Sequence, residues 1–242
     1  MSVLNRWKDA WVIFKRDLRG DRLYLIWNVL FMLYMALMMS FMFQYDERGA
    51  FLLEPMADFL MLLLIPFTGF YFSRRSFNYL KEDSYTQMLR FYRTLPIPAD
   101  AVMLGRIIQL VTAIFFNGVF YFPALYLLSA TLRSELSLAE YIAFALTWCG
   151  YGLLLNGVYI YFEFLKKGSV YLWMSLSSMV LVALLAFVVN GFGGNLIKLT
   201  VDYSGRYALL SPLVWGSLVC GTLGLSLFAA VTKRKLAVRD LA

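Results

Sequence analysis

Residues 169–191 read SVYLWMSLSSMVLVALLAFVVNG, an apolar run without a charged side chain. A bilayer core about 30 Å thick needs roughly 20 such residues in a helix to cross it. Five further stretches reach this length, and they lie at residues 23–44, 51–72, 107–129, 138–164 and 209–232. The sequence therefore predicts an all-α integral membrane protein, in which residues 23–232 form a domain of six transmembrane helices.

The composition of the chain supports a membrane location and argues against an enzyme. Hydrophobic residues make up 61% of the 242 residues, whereas they are roughly half of a soluble protein. The chain has no His and two Cys, which removes most metal sites and the imidazole base of Ser/His and Cys/His catalysis. A membrane aspartyl protease needs an Asp on each of two facing spans, but among the predicted spans only that at 51–72 contains one, Asp58. We therefore predict that the chain is not an enzyme and binds no metal.

The basic residues are distributed unequally between the connections. Most of them lie in four segments, which are 1–22, 73–106, 165–168 and 233–242. The other connections hold only Arg48, Arg133, Lys198 and Arg206. Because short connections rich in Lys and Arg stay on the cytoplasmic side, both termini are predicted to be cytoplasmic, with a basic tail at 233–242. Lipid headgroups and a protein partner then explain the positive charge, and we expect no nucleic acid partner.

The N-terminal segment 1–22 has the pattern of an amphipathic helix. Apolar side chains recur at intervals of three and four residues, and they are Leu4, Trp7, Trp11, Phe14 and Leu18. Lys and Arg occupy most of the other face, as in helices that lie among lipid headgroups. We predict an interfacial helix at the inner membrane surface. A solvated helix packed on a partner is the alternative.

The connection 73–106 is the only one long enough for a sizeable cytoplasmic element. It contains no Gly or Pro up to Arg93, and an apolar face at helical spacing is formed by Tyr85, Met88, Leu89 and Tyr92. The sequence TLPIP at 94–98 ends this helix, because the residue before a proline is driven out of the α-helical region. Asp100 then stands where a cap would start the helix of the third span. We predict a short aromatic helix held at the membrane surface and joined rigidly to that span.

The same connection resembles the permease subunits of ABC-2 type ATP-binding-cassette exporters of the short bacterial type. The likeness lies in LRFYRTLPI at 89–97, followed by DAVMLGR at 100–106. The predicted layout agrees with that family along nearly the whole chain: an interfacial helix, six spans and a long inner connection after the second. The outer segment 192–208 is similar to the short re-entrant outer helices of these proteins.

The resemblance implies that a coupling helix within 81–93 docks on a separate ATPase subunit, present in two copies, and that the turn at 163–168 makes a second contact. The coupling residues would be Lys81, Glu82, Tyr85, Met88, Leu89, Tyr92, Arg93, Lys166 and Lys167. It also implies a second permease chain, either identical or paralogous, and a place in the bacterial plasma membrane. No phosphate-binding Gly-x-x-x-x-Gly-Lys-Ser/Thr loop occurs in the chain, so ATP and Mg²⁺ are expected on the ATPase subunit.

Several polar residues fall within or near the predicted spans. Glu54 and Asp58, one helical turn apart, and Glu140 would form an acidic outer vestibule for cationic or amphipathic cargo. Alternatively they reach outer water or pair with Arg48 and Arg133. Asn117 and Asn156 either contact cargo or hydrogen-bond between helices.

Two further features concern inner charge and helix packing. Glu163 would form an interfacial ion pair beside Lys166 and Lys167, or contact the ATPase. The small residues Gly216, Cys220 and Gly224, spaced by four on the last span, would permit close helix contact.

Cargo is expected to be an amphipathic peptide, such as a bacteriocin or toxin, or a hydrophobic drug, because the spans are aromatic and weakly polar and the outer loops are small. The competing function is a non-catalytic membrane scaffold or immunity protein, which would bind a peptide without pumping it. A Walker-type ATPase that copurifies with the chain distinguishes the two.

Overall fold

The computed structural model describes residues 3–43, 50–73, 82–95 and 97–239, and every regular element within them is helical. The α-helices, numbered in chain order, are α1 Val3–Gly20, α2 Tyr24–Met42, α3 Ala50–Leu64, α4 Ser84–Thr94, α5 Ala99–Leu128, α6 Ala130–Glu135, α7 Leu138–Leu165, α8 Gly168–Gly191, α9 Leu196–Tyr207 and α10 Pro212–Val238. Short 3₁₀ turns occupy Ile65–Gly69 and Ala208–Leu210. The all-α prediction is confirmed.

Five helices of the described part are long and apolar enough to cross a membrane. They are α2, α5, α7, α8 and α10. The apolar run 169–191 matches α8 to within one residue, and this helix buries little of its surface inside the protein. The prediction of a membrane protein with apolar spanning helices is therefore supported, whereas the predicted count of six helical spans is not.

The difference lies in the second predicted span, 51–72, which is not one continuous helix. The α-helical part of this segment ends at Leu64, a 3₁₀ turn follows at Ile65–Gly69, and residues 70–73 are extended. Pro66 has no N–H to donate and its ring clashes with the preceding turn, which disfavours continuation of the α-helix. The segment still runs the length of the bundle, from Asp58 against α9 to Ser73 beside α1.

The first helix, α1, packs on the start of α5 through a small apolar face. Ala10, Ile13 and Phe14 are buried in this contact. Gly105 of α5 permits the approach, since a Cβ there would lie 3.3 Å from the carbonyl oxygen of Ala10. Trp7 and Trp11 remain more than half exposed, so the apolar stripe predicted from the sequence divides between protein and surroundings.

The two helices α7 and α10 approach each other most closely, and glycines make this possible. A Cβ on Gly150 would lie 2.5 Å from the backbone of Ser217, and one on Gly221 would overlap the backbone of Gly150. Gly216 and Cys220, predicted to permit close helix contact, make none within this chain: nothing lies within 4 Å of a Cβ on Gly216, and Cys220 is exposed. Gly224, the third predicted residue, does face α7.

One end of the bundle collects the elements with most of the charge. We call it the α4 end: it holds α1, α4, the first turns of α5, the α7–α8 turn and the last turn of α10. The opposite end holds α6 and α9. The predicted outer segment 192–208 contains α9 and the first residue of a short 3₁₀ turn rather than a pair of α-helices.

Candidate functional site

The helix α4 is anchored at its start to the turn between α7 and α8. Asp83 caps this turn from outside, because its Oδ1 accepts a hydrogen bond of 3.0 Å from the backbone N–H of Gly168. Asp83 has a left-handed backbone with φ of 44°, a conformation that Asp tolerates better than most residues. The exposed Lys166 and Lys167 are thereby brought beside the start of α4, so the two predicted contact regions form one surface.

The other end of α4 is tied to the last turn of α10. The Nη2 atom of Arg93 donates to the carbonyl oxygens of Leu236 at 2.9 Å and Arg239 at 2.6 Å. Arg239 in return donates to Thr86 Oγ1 of α4 at 3.2 Å. Burial lowers the pKa of the Arg239 guanidinium from its ordinary value, while nearby Asp83 acts in the opposite direction. The tail and α4 thus hold each other through reciprocal arginine contacts.

The helix α1 supplies a third anchor. Arg16 Nη2 donates to the hydroxyl of Tyr92 at 2.8 Å and pairs with Asp17 at 3.0 Å. The Arg16 guanidinium also lies 5.4 Å from the ring centroid of Tyr92 and 5.8 Å from that of Phe91, within the range of cation–π attraction. The helix α4 is therefore connected by side chains to three other elements of the bundle.

These anchors determine which face of α4 is exposed, and they correct the predicted docking face. Leu89 and Tyr92 are each 3% exposed and pack in the protein's own core, so neither presents its side chain to a partner. Phe91, which the sequence analysis missed, is 51% exposed. The helical spacing identified an apolar face correctly, but that face points inward.

The other predicted coupling residues are placed as follows. Tyr85 and Met88 line a cavity beneath the helix, while Glu82, Arg93, Lys166 and Lys167 are exposed. Lys81 lies outside the described residues. The exposed surface of this region therefore combines charged side chains with the ring of Phe91.

The cavity beneath α4 contains a buried ion pair. It has a volume of about 50 Å³ and lies between α1, α4, α5, α7 and the extended residues 70–73. Arg106 of α5 donates from Nε to both carboxylate oxygens of Glu163 at 3.1 and 3.2 Å, and from Nη2 at 2.9 Å. Both residues are at least nine-tenths buried. Glu163 therefore forms an ion pair as predicted, but the pair is buried rather than interfacial. Its partner Arg106, which we assigned to the connection, lies inside the bundle.

The broken segment 65–73 is held by amide side chains from three helices. Asn117 Nδ2 donates to the carbonyl oxygens of Thr68 at 2.9 Å and Phe70 at 2.8 Å. Asn156 Nδ2 donates to the carbonyl oxygen of Pro66 at 3.1 Å, and the N–H of Phe72 donates to Asn28 Oδ1 at 2.8 Å. Backbone groups that leave a helix inside an apolar bundle need such partners.

This arrangement favours the second alternative for Asn117 and Asn156. Both side chains are 0% exposed and donate to backbone carbonyl oxygens, as expected for amides that hydrogen-bond between helices. Gly69 belongs to the same arrangement, because a Cβ there would lie 2.5 Å from the Asn156 amide. The sequence analysis missed the role of Gly69, which a Gly shortly after a proline in an apolar run could have suggested.

The predicted acidic vestibule does not form with the described side chains. Asp58 is 0% exposed, and its two oxygens accept from the N–H groups of Leu196 at 2.7 Å and Ile197 at 2.9 Å. The carboxylate thus caps α9, where the helix dipole favours a negative charge. Glu140 closes the capping box of α7 with Ser137. The side chain of Glu54 lies outside the described part.

A row of aromatic rings connects α4 with the broken segment. Tyr85 lies 5.9 Å from Tyr171 of α8, measured between ring centroids, and Tyr171 lies 6.2 Å from Tyr159 of α7. Tyr159 lies 5.5 Å from Phe70 in an edge-to-face contact, and Phe70 lies 5.9 Å from the Arg106 guanidinium. These contacts form a continuous packed path from the surface helix to the 65–73 segment.

Among the residues that the structure describes, no three Cys, Asp or Glu side chains are grouped so that they could hold a metal ion. Comparisons with protein-family models, with curated protein sequences and with solved structures each found no match to this chain.

Proposed function

We propose that the chain is the membrane-spanning permease subunit of an ABC-2 type exporter, driven by ATP hydrolysis on a separate ATPase subunit. The observation that carries the proposal is α4, a surface helix of 11 residues anchored at both ends and on one side. A helix that receives a push from a partner needs such fixation, because a freely attached helix would yield without moving the bundle. Its exposed Phe91 offers the partner an aromatic anchor among charged residues.

The orientation follows from the charges. The α4 end carries the basic segments of the sequence and is placed on the cytoplasmic side. The helix α3 and the broken segment 65–73 together then complete a sixth crossing. The helix α1 is the interfacial helix, with Trp7 and Trp11 toward the headgroups. Both termini are cytoplasmic, in a bacterial plasma membrane.

The packing beneath α4 suggests how a push would reach the cargo path. A displacement of α4 would move Tyr85, and the row of packed aromatic rings would transmit this movement to Phe70 in the broken segment. A segment without continuous helical hydrogen bonds changes conformation more easily than an intact helix. This segment is therefore the element proposed to alternate during transport of an amphipathic peptide or hydrophobic drug. A second permease chain completes the pathway, and nucleotide binds to the ATPase subunit alone.

The first test replaces Phe91 with a photoactivatable phenylalanine analogue in cells that carry the native partners. The matched control places the same analogue at Phe115, which is 74% exposed on α5. We expect a crosslink from position 91, and not from 115, to a protein that mass spectrometry identifies as an ABC ATPase. Absence of an ATPase at position 91, with crosslinking at other proteins only, would contradict the proposal.

The second test measures ATP hydrolysis by the reconstituted complex. Phe91→Ala should lower cargo-stimulated hydrolysis about tenfold, whereas Phe115→Ala should leave it within about twofold, because loss of one aromatic hot spot at an interface costs 1–2 kcal/mol or more. A chain that protects cells from a peptide while no ATPase associates with it would instead be the scaffold or immunity protein.

A further inference from the structure

We propose that the cleft between α1, α5 and α10 binds an anionic phospholipid of the inner leaflet, with its phosphate at Arg6 and Lys233 and an acyl chain between the helices. This inference rests on the proposed placement of the α4 end at the cytoplasmic surface. It concerns lipid recognition, which neither the proposed coupling nor the proposed transport requires.

The cleft has a charged mouth and an apolar wall. It has a volume of about 400 Å³ and opens to the surroundings. The mouth is formed by Arg6, Trp7, Asp100 and Lys233. The wall below it is formed by Met103, Leu104 and Ile107 of α5 and by Ser226, Ala229 and Ala230 of α10. This order of polar and apolar groups matches a phospholipid, which has a charged head above its chains.

The mouth carries an excess of positive charge. Arg6 Nη1 lies 2.9 Å from Asp100 Oδ2, and Lys233 Nζ lies 3.3 Å from Asp100 Oδ1. Two cations thus share a single carboxylate, the only acidic side chain among the described residues that line the cleft. Arg has five N–H donors and Lys three, so most of their donors remain available for phosphate oxygens. Asp100 holds the two cations on either side of itself and leaves a net charge of one.

The small residues of α10 make room for a chain. Ser226, Ala229 and Ala230 have short side chains, and Ala230 is exposed. An acyl chain gains little by moving from bilayer to protein, because both surroundings are apolar. The headgroup must therefore supply the selectivity, and binding should favour anionic over zwitterionic lipids and weaken with salt.

Trp7 indicates the depth of the mouth of the cleft in the membrane. Its side chain is 54% exposed at the mouth of the cleft, and tryptophan concentrates at the level of lipid headgroups. A phosphate between Arg6 and Lys233 lies at that level. Charge complementarity and this depth favour a phospholipid over a second copy of the chain, whose apolar spans would supply no negative group beyond Asp100 for the two cations.

The test uses the purified full chain in detergent, titrated with phosphatidylglycerol and, separately, with phosphatidylcholine, and counts bound lipids by native mass spectrometry. The double variant Arg6→Gln/Lys233→Gln should bind phosphatidylglycerol about 25-fold more weakly, at about fivefold for each cation. The matched control is Lys15→Gln/Arg234→Gln, which removes the same charge from exposed positions of α1 and α10. It should change binding less than twofold.

A third variant, Ala230→Phe, keeps both cations and fills the cleft, so it should also lose phosphatidylglycerol. Thermal unfolding of each variant verifies that it is folded. Equal losses in the double variant and its control, unchanged binding by Ala230→Phe, or equal binding of phosphatidylcholine would each overturn the site. The proposed lipid site would also be overturned if the unmodified chain forms a dimer and Ala230→Phe abolishes it, because the cleft would then hold a second chain. Lipid binding is measured without an ATPase, so its outcome is independent of the crosslinking result.

Discussion

The α7–α10 pair and the segment 50–73 both run the length of the bundle, but their backbones are satisfied in opposite ways. The paired helices complete their own hydrogen bonds, and they need only Gly150, Gly157 and Gly221 to approach closely. The broken segment leaves carbonyl and N–H groups without helical partners, and Asn28, Asn117 and Asn156 supply them. Glycine contact produces a rigid pair, whereas borrowed hydrogen bonds produce a segment that can exchange partners.

This contrast locates the movable part of the molecule. Two close-packed helices resist relative motion, since any shift brings backbone atoms into overlap. Side-chain amides can release one carbonyl oxygen and bind another at small cost. The cavity with the Arg106–Glu163 pair lies next to the broken segment, at Phe70, and not between α7 and α10.

The largest expected effect on stability comes from the buried Arg106–Glu163 ion pair, which lies next to the broken segment. Arg106→Gln leaves the Glu163 carboxylate buried without its cation, which should lower the free energy of unfolding by about 3–5 kcal/mol. The measurement is thermal or denaturant unfolding in a fixed detergent. The double variant Arg106→Leu/Glu163→Leu should recover much of the loss, because no isolated charge remains. A double variant as unstable as Arg106→Gln would show that packing, and not the uncompensated charge, is responsible.

The second effect concerns the rigid pair. Gly150→Val should destabilise the protein by about 1–3 kcal/mol, because its side chain would occupy the position of the Ser217 backbone and force the helices apart. Gly216→Val on α10 is the control, since open space surrounds that position, and its cost should be no more than a few tenths. The same thermal assay decides, and equal effects at the two glycines would contradict the close α7–α10 contact.

The third effect tests the borrowed hydrogen bonds. Asn117→Ala removes two donors from buried carbonyl oxygens of the broken segment and should cost about 1–3 kcal/mol. Thr112→Ala on the same helix removes a bond to Ile108 within its own helix and should cost much less. Hydrogen exchange should also rise in residues 65–73 of the Asn117 variant. Unchanged exchange there would mean that the amide does not hold the segment.

The sequence was sufficient for elements whose stability is local. The run 169–191 predicted α8 to within one residue, because an apolar helix needs nothing from the rest of the chain. Pro66 in the second span permits a kink, but the full break at Ile65–Gly69 was not predicted, since its partner Asn156 lies 90 residues from Pro66 and no periodicity reports such a distance. The Arg106–Glu163 pair joins residues 57 apart and was missed for the same reason. The apolar face of α4 points inward because other helices pack against it. The spacing of apolar residues reveals such a face but not the direction in which it points.

The smallest expected effect on stability is that of Arg93→Gln. This variant tests how α4 connects to the rigid α7–α10 pair and to the broken segment. Arg93 joins α4 to the end of α10, a member of the rigid pair, whereas the row of aromatic rings that begins at Tyr85 joins α4 to Phe70 of the broken segment. A push on α4 would thus reach both regions, and it would move the α7–α10 pair as a unit while the segment adapts. Arg93→Gln should cost only about 0.5–1.5 kcal/mol but should accelerate hydrogen exchange along α4 while α7 and α10 stay protected.

The control is Arg234→Gln, which removes the same charge from an exposed position of α10 and should leave exchange in α4 unchanged. If Arg93→Gln also leaves it unchanged, the contacts of Asp83, Arg16 and Arg239 hold α4, and the Arg93 contact is not what connects it to the rigid pair. If exchange rises in α10 as well, α10 is not an independent support, and the contrast between a rigid and an adjustable region fails at the α4 end.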